Sequence, residues 1–190
     1  LRCLDYDTSW FRYYKIKAYT EDQKRYFDYS VFQSGEGMES NHTYLVDSSG
    51  IHIEKFKTLD SEKRIVSGHV AGQKMFDWDL DRMEVNRVRI EFKDSNPSVF
   101  EREVNTSTRF MGAGSKVKFN KEKFASIRFE RSVERIKGDS VNTSHGISYY
   151  AEGLGYFGAY ILFNDEVAFE ERLVEIRPIT TWKTNTPVVK

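Results

Sequence analysis

From Arg87 to Lys93 every second residue is apolar: Val88, Ile90 and Phe92 alternate with Arg87, Arg89, Glu91 and Lys93. Successive side chains of an extended chain point to opposite faces, so this spacing predicts a strand with one buried and one wet face. The pattern returns at Lys116–Phe119, Ile127–Glu130 and Val174–Arg177, each time with charge on the alternate positions. A chain built from such segments forms antiparallel sheet, because a parallel sheet is covered on both faces and reads as continuous apolar runs.

Turn chemistry places the strands. Tyr44-Leu45-Val46 and Ile51-His52-Ile53 flank Asp47-Ser48-Ser49-Gly50, which predicts a hairpin with Gly50 supplying a positive φ. A second hairpin is expected to join Ile51–Phe56 to Arg64–Val70 through the polar turn 59–63. Aromatic and β-branched residues mark further strands at Trp10–Ile16, Tyr29–Phe32, Ile147–Tyr150 and Tyr156–Phe163, for about nine or ten short strands in all. Thr20 followed by Gln23 resembles a capping box, so Glu21–Phe27 is expected to make two helical turns, with Asp165–Arg172 a second short helix. Short strands separated by frequent turns, without long crossover helices, predict an all-β fold: an antiparallel, jelly-roll-like β-sandwich with one or two short helices. With Pro97, Pro178 and Pro187 the only prolines and no Gly/Ser linker, residues 1–190 read as a single domain with an extended C-terminal tail at about 180–190.

Composition excludes several classes. The 29 basic residues balance 29 acidic ones, so no global field draws the chain to nucleic acid. Mean hydropathy is -0.62, yet 15% of residues are aromatic, too many for a disordered chain. No apolar run approaches the roughly 20 residues of a transmembrane helix, so the expected product is a soluble globule with no membrane span. Leu1 in place of Met reads as a mature, excised or truncated start. Cys3, the single cysteine, excludes an internal disulfide, and the Leu-Arg before it is unlike the small residues that precede a lipid-bearing cysteine. Three glycosylation sequons, at Asn41, Asn105 and Asn142, exceed the about one expected by chance and tilt the reading toward an extracellular or cell-surface setting.

Chemical motifs are sparse. His42, His52, His69 and His145 lack metal-ligand spacing, although a hairpin could bring His52 and His69 face to face. Asp77, Asp79 and Asp81 stand at alternate positions, as a calcium site would want, but the glycine and distal Glu of an EF loop are missing; an acidic turn with Trp78 and Leu80 pointing inward is the plainer reading. No cofactor is implied beyond that calcium. Gly112-Ala113-Gly114-Ser115-Lys116 lacks phosphate-loop spacing, and Gly153, Gly155 and Gly158 fit strand bends or close backbone packing better than a dinucleotide fingerprint. No nucleophile elbow is present, and the carboxylate pairs Glu171/Glu175, near Arg177, and Glu101/Glu103 are the remaining catalytic option.

Aromatic excess carries the functional expectation. Three Trp, 11 Tyr and 14 Phe exceed what a core of this size needs, and ring faces stack on sugars. The candidate ligand-binding residues are Trp10, Tyr14, Trp78, Tyr149, Tyr150, Tyr156 and Trp182, with Tyr13 beside them. The expectation is a non-enzymatic binding module of a secreted or surface protein, recognising carbohydrate or a protein partner. The alternatives are a capsid-like or appendage assembly protein, in which the chain homo-oligomerises, and a two-carboxylate carbohydrate-active enzyme.

Overall fold

A computed structural model describes residues 2–4, 11–33, 37–79, 85–93, 96, 98–163 and 166–176. Strands succeed one another as β1 (Arg2–Leu4), β2 (Phe11–Glu21), β3 (Lys24–Gln33), β4 (Gly37–Val46), β5 (Gly50–Leu59), β6 (Ile65–Ala71), β7 (Lys74–Asp77) and β8 (Val85–Phe92). They continue as β9 (Glu101–Ala113), β10 (Val117–Phe119), β11 (Glu122–Phe124), β12 (Ser126–Lys137), β13 (Ser140–Ala151), β14 (Gly155–Phe163) and β15 (Glu166–Glu175).

The fold is all-β and antiparallel, as the alternation predicts. One sheet runs in the order β4-β3-β2-β1-β15-β14-β13-β12-β9-β8-β6-β5-β7, and β4 also pairs with β5. Strand β7 attaches to the Gly50–His52 end of β5, and through the β4–β5 pairing the other strands form a circuit in which nearly every neighbour in space is a neighbour in sequence. Walls facing one another across a shared core are consistent with a β-sandwich, but the strand order is that of a meander and lacks the crossings of a jelly roll. The strands, fifteen among the described residues, are also more numerous than the pattern suggests.

Neither expected helix forms, and among the described residues there is no helix at all. Asp22 and Gln23 both take left-handed backbone (φ 48° and 63°), which makes 22–23 the two-residue turn of the β2–β3 hairpin. Tyr19 and Tyr26 stack across that hairpin at 5.6 Å, a cross-strand contact that a helix would forfeit. The segment read as a helix before the last strand is itself β15, extended because β14 and β1 pair with it on either side. No helix is long and apolar enough to cross a membrane.

Both expected hairpins form. In the first, Tyr44 pairs with Ile53 and Val46 with Ile51, and Asp47 organises the turn by accepting the Ser49 N–H at 2.7 Å and the Gly50 N–H at 3.1 Å. Gly50 is required: with φ 155°, a Cβ there would lie 2.1 Å from the Phe76 carbonyl oxygen. In the second, Phe56 pairs with Gly68, and Asp60 accepts the Glu62 and Arg64 N–H groups at 2.8 Å each.

Inside and outside separate cleanly on β8, β9 and β12. Outward, Arg89 bridges Glu91 and Glu103 at 2.7 and 3.0 Å, Asn105 links Glu103 to Glu134, and Arg109 pairs with Glu130. Inward, Val88, Ile90 and Phe92 are buried with Ile53, Met75 and Phe100. Burying each such side chain contributes about 1.5–3 kcal/mol. A second cluster forms where the β10–β11 hairpin lays Val117, Phe119 and Phe124 against Ala151, Phe157 and Leu173.

Candidate functional site

The inward face carries a continuous series of aromatic rings. Tyr14 on β2 stacks on Tyr29 of β3 at 5.2 Å, and Tyr29 meets the edge of His42 on β4 at 6.0 Å. His42 contacts Tyr44 and Phe56 at 5.8 and 4.5 Å, and Phe56 continues to Phe92 at 5.4 Å. In the other direction Tyr14 meets Tyr156, Tyr156 meets Tyr150, and Tyr150 meets Phe129 and Phe76 at 5.6 and 5.4 Å. Alternation explains the series: cross-strand partners share a face, so the pairs Tyr29–His42 and His42–Phe56 carry one inward face from β3 to β5.

These rings are enclosed by protein yet keep part of their surface accessible. Burial lowers the His42 imidazole to about 3, with the Arg131 charge adding to the effect. Burial raises Tyr150 to about 12 and holds Tyr29, Tyr44 and Tyr156 above the usual phenol range. His42, Tyr29, Tyr44, Tyr150 and Tyr156 are nevertheless only half-buried. Ile16, midway along β2, pairs with Tyr29 and shares its face, and is 49% exposed. The inward rings are thus shielded enough to hold their ionisation down while part of their surface stays accessible, and Ile16 lies where β2 has run past its pairing with β1.

His42, Glu171 and Arg131 are polar side chains on this inward face. The ring nitrogens of His42 lie 3.1 Å from the Tyr44 hydroxyl and 3.2 Å from the Ser40 hydroxyl. Glu171 on β15 is buried and accepts the Tyr156 hydroxyl at 2.7 Å. Arg131 sits midway along β12 between the buried Phe129 and Val133, all on one face, opposite the buried Thr108 of β9 and Gly146 of β13.

Of the sequence candidates, Tyr14, Tyr150 and Tyr156 meet in this series. Tyr149 lies on the opposite face, where its ring meets Tyr160 at 5.7 Å. Trp78 does not point inward as expected: it is 49% exposed, tied to the β4–β5 turn by a 2.7 Å bond from Nε1 to the Asp47 carbonyl oxygen. Trp10, Trp182, Leu80 and Asp81 lie outside the described residues, as does the expected tail. Asp77 pairs with Lys74 at 2.7 Å and accepts the Asp79 N–H at 3.0 Å, and no cluster that would hold a metal occurs among the described residues. His52 faces Asp47 at 3.3 Å, whereas His69 is paired with Glu91 on β8, so the two histidines do not meet. Glu103 is engaged on the outer face and Glu101 faces Arg135 at 3.5 Å.

His42, Tyr29, Tyr44 and Arg131 are not among the ligand-binding residues expected from the sequence. Arg131 alone carried a legible signal: extending the alternation from Phe129 to Val133 puts a cation in the apolar register.

An antiparallel all-β sheet defines the class of fold, and a solved structure matches it. The crystal structure of a protein of Parabacteroides distasonis ATCC 8503, described as a candidate lipoprotein, matches over 91% of this chain and 90% of that one, with TM-score 0.51 and 10% identity. At that identity the likeness concerns the fold alone. No family model and no curated protein matches the chain.

Proposed function

We infer that the chain is a non-enzymatic binding module, a single β-domain of a surface-displayed or secreted protein, that takes a small, largely apolar ligand into its interior. The observation that carries this reading is the ring series that passes from wall to wall while its members keep accessible surface. Enclosed, mostly apolar space with a few convergent polar groups is the usual form of a small-molecule site. A surface setting is supported by the lipoprotein whose fold this chain resembles. Tyr14, Tyr150 and Tyr156 are ligand-contacting residues in this reading. Glu171 already accepts a phenol hydroxyl, which suits a positioning role better than catalysis by a carboxylate pair.

The test is titration of the full chain with a neutral apolar fluorophore, 1-N-phenylnaphthylamine. Saturable uptake with enhanced, blue-shifted emission is expected, and Ile16→Trp, which fills the accessible space beside Tyr29, should abolish it while leaving the far-ultraviolet circular dichroism unchanged. Non-saturable emission, or uptake untouched by Ile16→Trp, overturns the interior site.

A second reading rests on Trp78, whose ring is fixed by its bond to Asp47 and half exposed. Such a ring can stack on a sugar. Glycan quenching of tryptophan fluorescence that disappears in Trp78→Ala would move the site to the outer surface.

A further inference from the structure

Arg131 is the feature of the interior that the aromatic series leaves unexplained. A guanidinium on the apolar face of a strand is costly unless something compensates it. Its two neighbours on that face, Phe129 and Val133, are buried, and so is Thr108 across from it. Arg131 itself is exposed although it stands on the inward face, midway along β12. Its positive charge acts on His42, Tyr44 and Tyr150, which stand on the inward faces of β4 and β13. Among the described residues no carboxylate forms an ion pair with it. The inward acid, Glu171, is committed to Tyr156.

We propose that Arg131 anchors the single negative charge of an amphiphile with a carboxylate head, whose apolar body lies along Ile16, Tyr29 and Phe56. A guanidinium presents a planar fork that matches a carboxylate with two parallel hydrogen bonds. The head is a monoanion because one enclosed cation compensates one charge, and the Glu171 carboxylate penalises a second negative charge in the same space. The phenol of Tyr150, kept protonated by burial, is a donor suited to the carboxylate oxygens that Arg131 leaves open. The body is apolar because the surface left accessible on the inward face is aliphatic at Ile16 and aromatic at Tyr29.

This assignment rests on the interior binding site inferred above, and a paired measurement separates the two. Dodecanoate and dodecanol, below their critical aggregation concentrations, are titrated calorimetrically into the full chain, into Arg131→Gln and into Arg131→Lys. The expected result is that dodecanoate binds the unaltered chain and loses at least tenfold in affinity with Arg131→Gln, while Arg131→Lys retains part of it. Dodecanol should bind all three alike, which also shows that each variant is folded. If dodecanoate binds the unaltered chain and Arg131→Gln equally, the anchor is wrong and the interior site stands. If dodecanol binds and dodecanoate does not, the anionic ligand is wrong. If neither binds, the interior site and the anchor fail together.

Discussion

His42 shows how a single half-buried residue contributes to the response of the fold to pH. Tyr29, Tyr44 and Phe56 pack around it, and the desolvation they impose, together with the charge of Arg131, disfavours the imidazolium. Unfolded, the side chain titrates near about 6.5; folded, it holds out to about 3. Because the folded value is the lower one, stability is unaffected above about pH 6.5 and falls as pH drops toward 3, while the unfolded chain binds a proton that the native chain refuses. The limiting slope is about 1.4 kcal/mol per pH unit for one proton. Urea midpoints measured from pH 7.5 to 4.5 should therefore decline less steeply for His42→Gln than for the unaltered chain. Parallel pH profiles would mean that His42 protonates freely in the folded state.

At the scale of the element, turns decide which patterns become strands and which were misread. The alternation at 87–93 and the Asp47–Gly50 turn were legible because both depend on a few consecutive residues. The helix expected at Glu21–Phe27 failed because a capping-box spacing is weaker than a cross-strand ladder running from Arg12 opposite Gln33 to Glu21 opposite Lys24. The site was only partly legible for a related reason. Alternation says which residues share a face but not which face is inward, and the bulge between Tyr149 and Tyr150 shifts the register just where two adjacent tyrosines were both chosen. The strain in these turns is testable. Gln23 holds a left-handed conformation that costs a side-chain-bearing residue about 1 kcal/mol, so Gln23→Gly should stabilise the fold by up to about that amount. Gly50→Ala should destabilise it by more, about 2 kcal/mol or above, because its Cβ would meet the Phe76 carbonyl at 2.1 Å. Opposite shifts in the urea midpoint are the expected signature, and a neutral Gly50→Ala would mean that β7 can retreat from β5.

For the whole molecule, the circuit of strands closes through a short seam. Strand β1 is only three residues long, yet it pairs with β2 on one side, Leu4 opposite Phe11, and with β15 on the other, Cys3 opposite Leu173. Every other junction joins segments that are close in sequence, whereas β1 and β15 come from opposite ends of the chain. Closure removes sheet edges, and an unclosed sheet presents unpaired N–H and C=O groups to other chains. Deleting residues 1–4 should leave the hairpins and most of the apolar core intact but uncover the 11–13 end of β2 and the 173–175 end of β15 as edges. The shortened chain should retain a strand-rich circular dichroism spectrum, melt at lower temperature and associate with rising concentration in sedimentation velocity. It should also lose saturable uptake of the neutral fluorophore, since internal space bounded by an open sheet is continuous with solvent. A shortened chain that stays monomeric and binds as before would mean that β2 and β15 close on each other without β1, and that the seam contributes nothing to enclosing the aromatic interior.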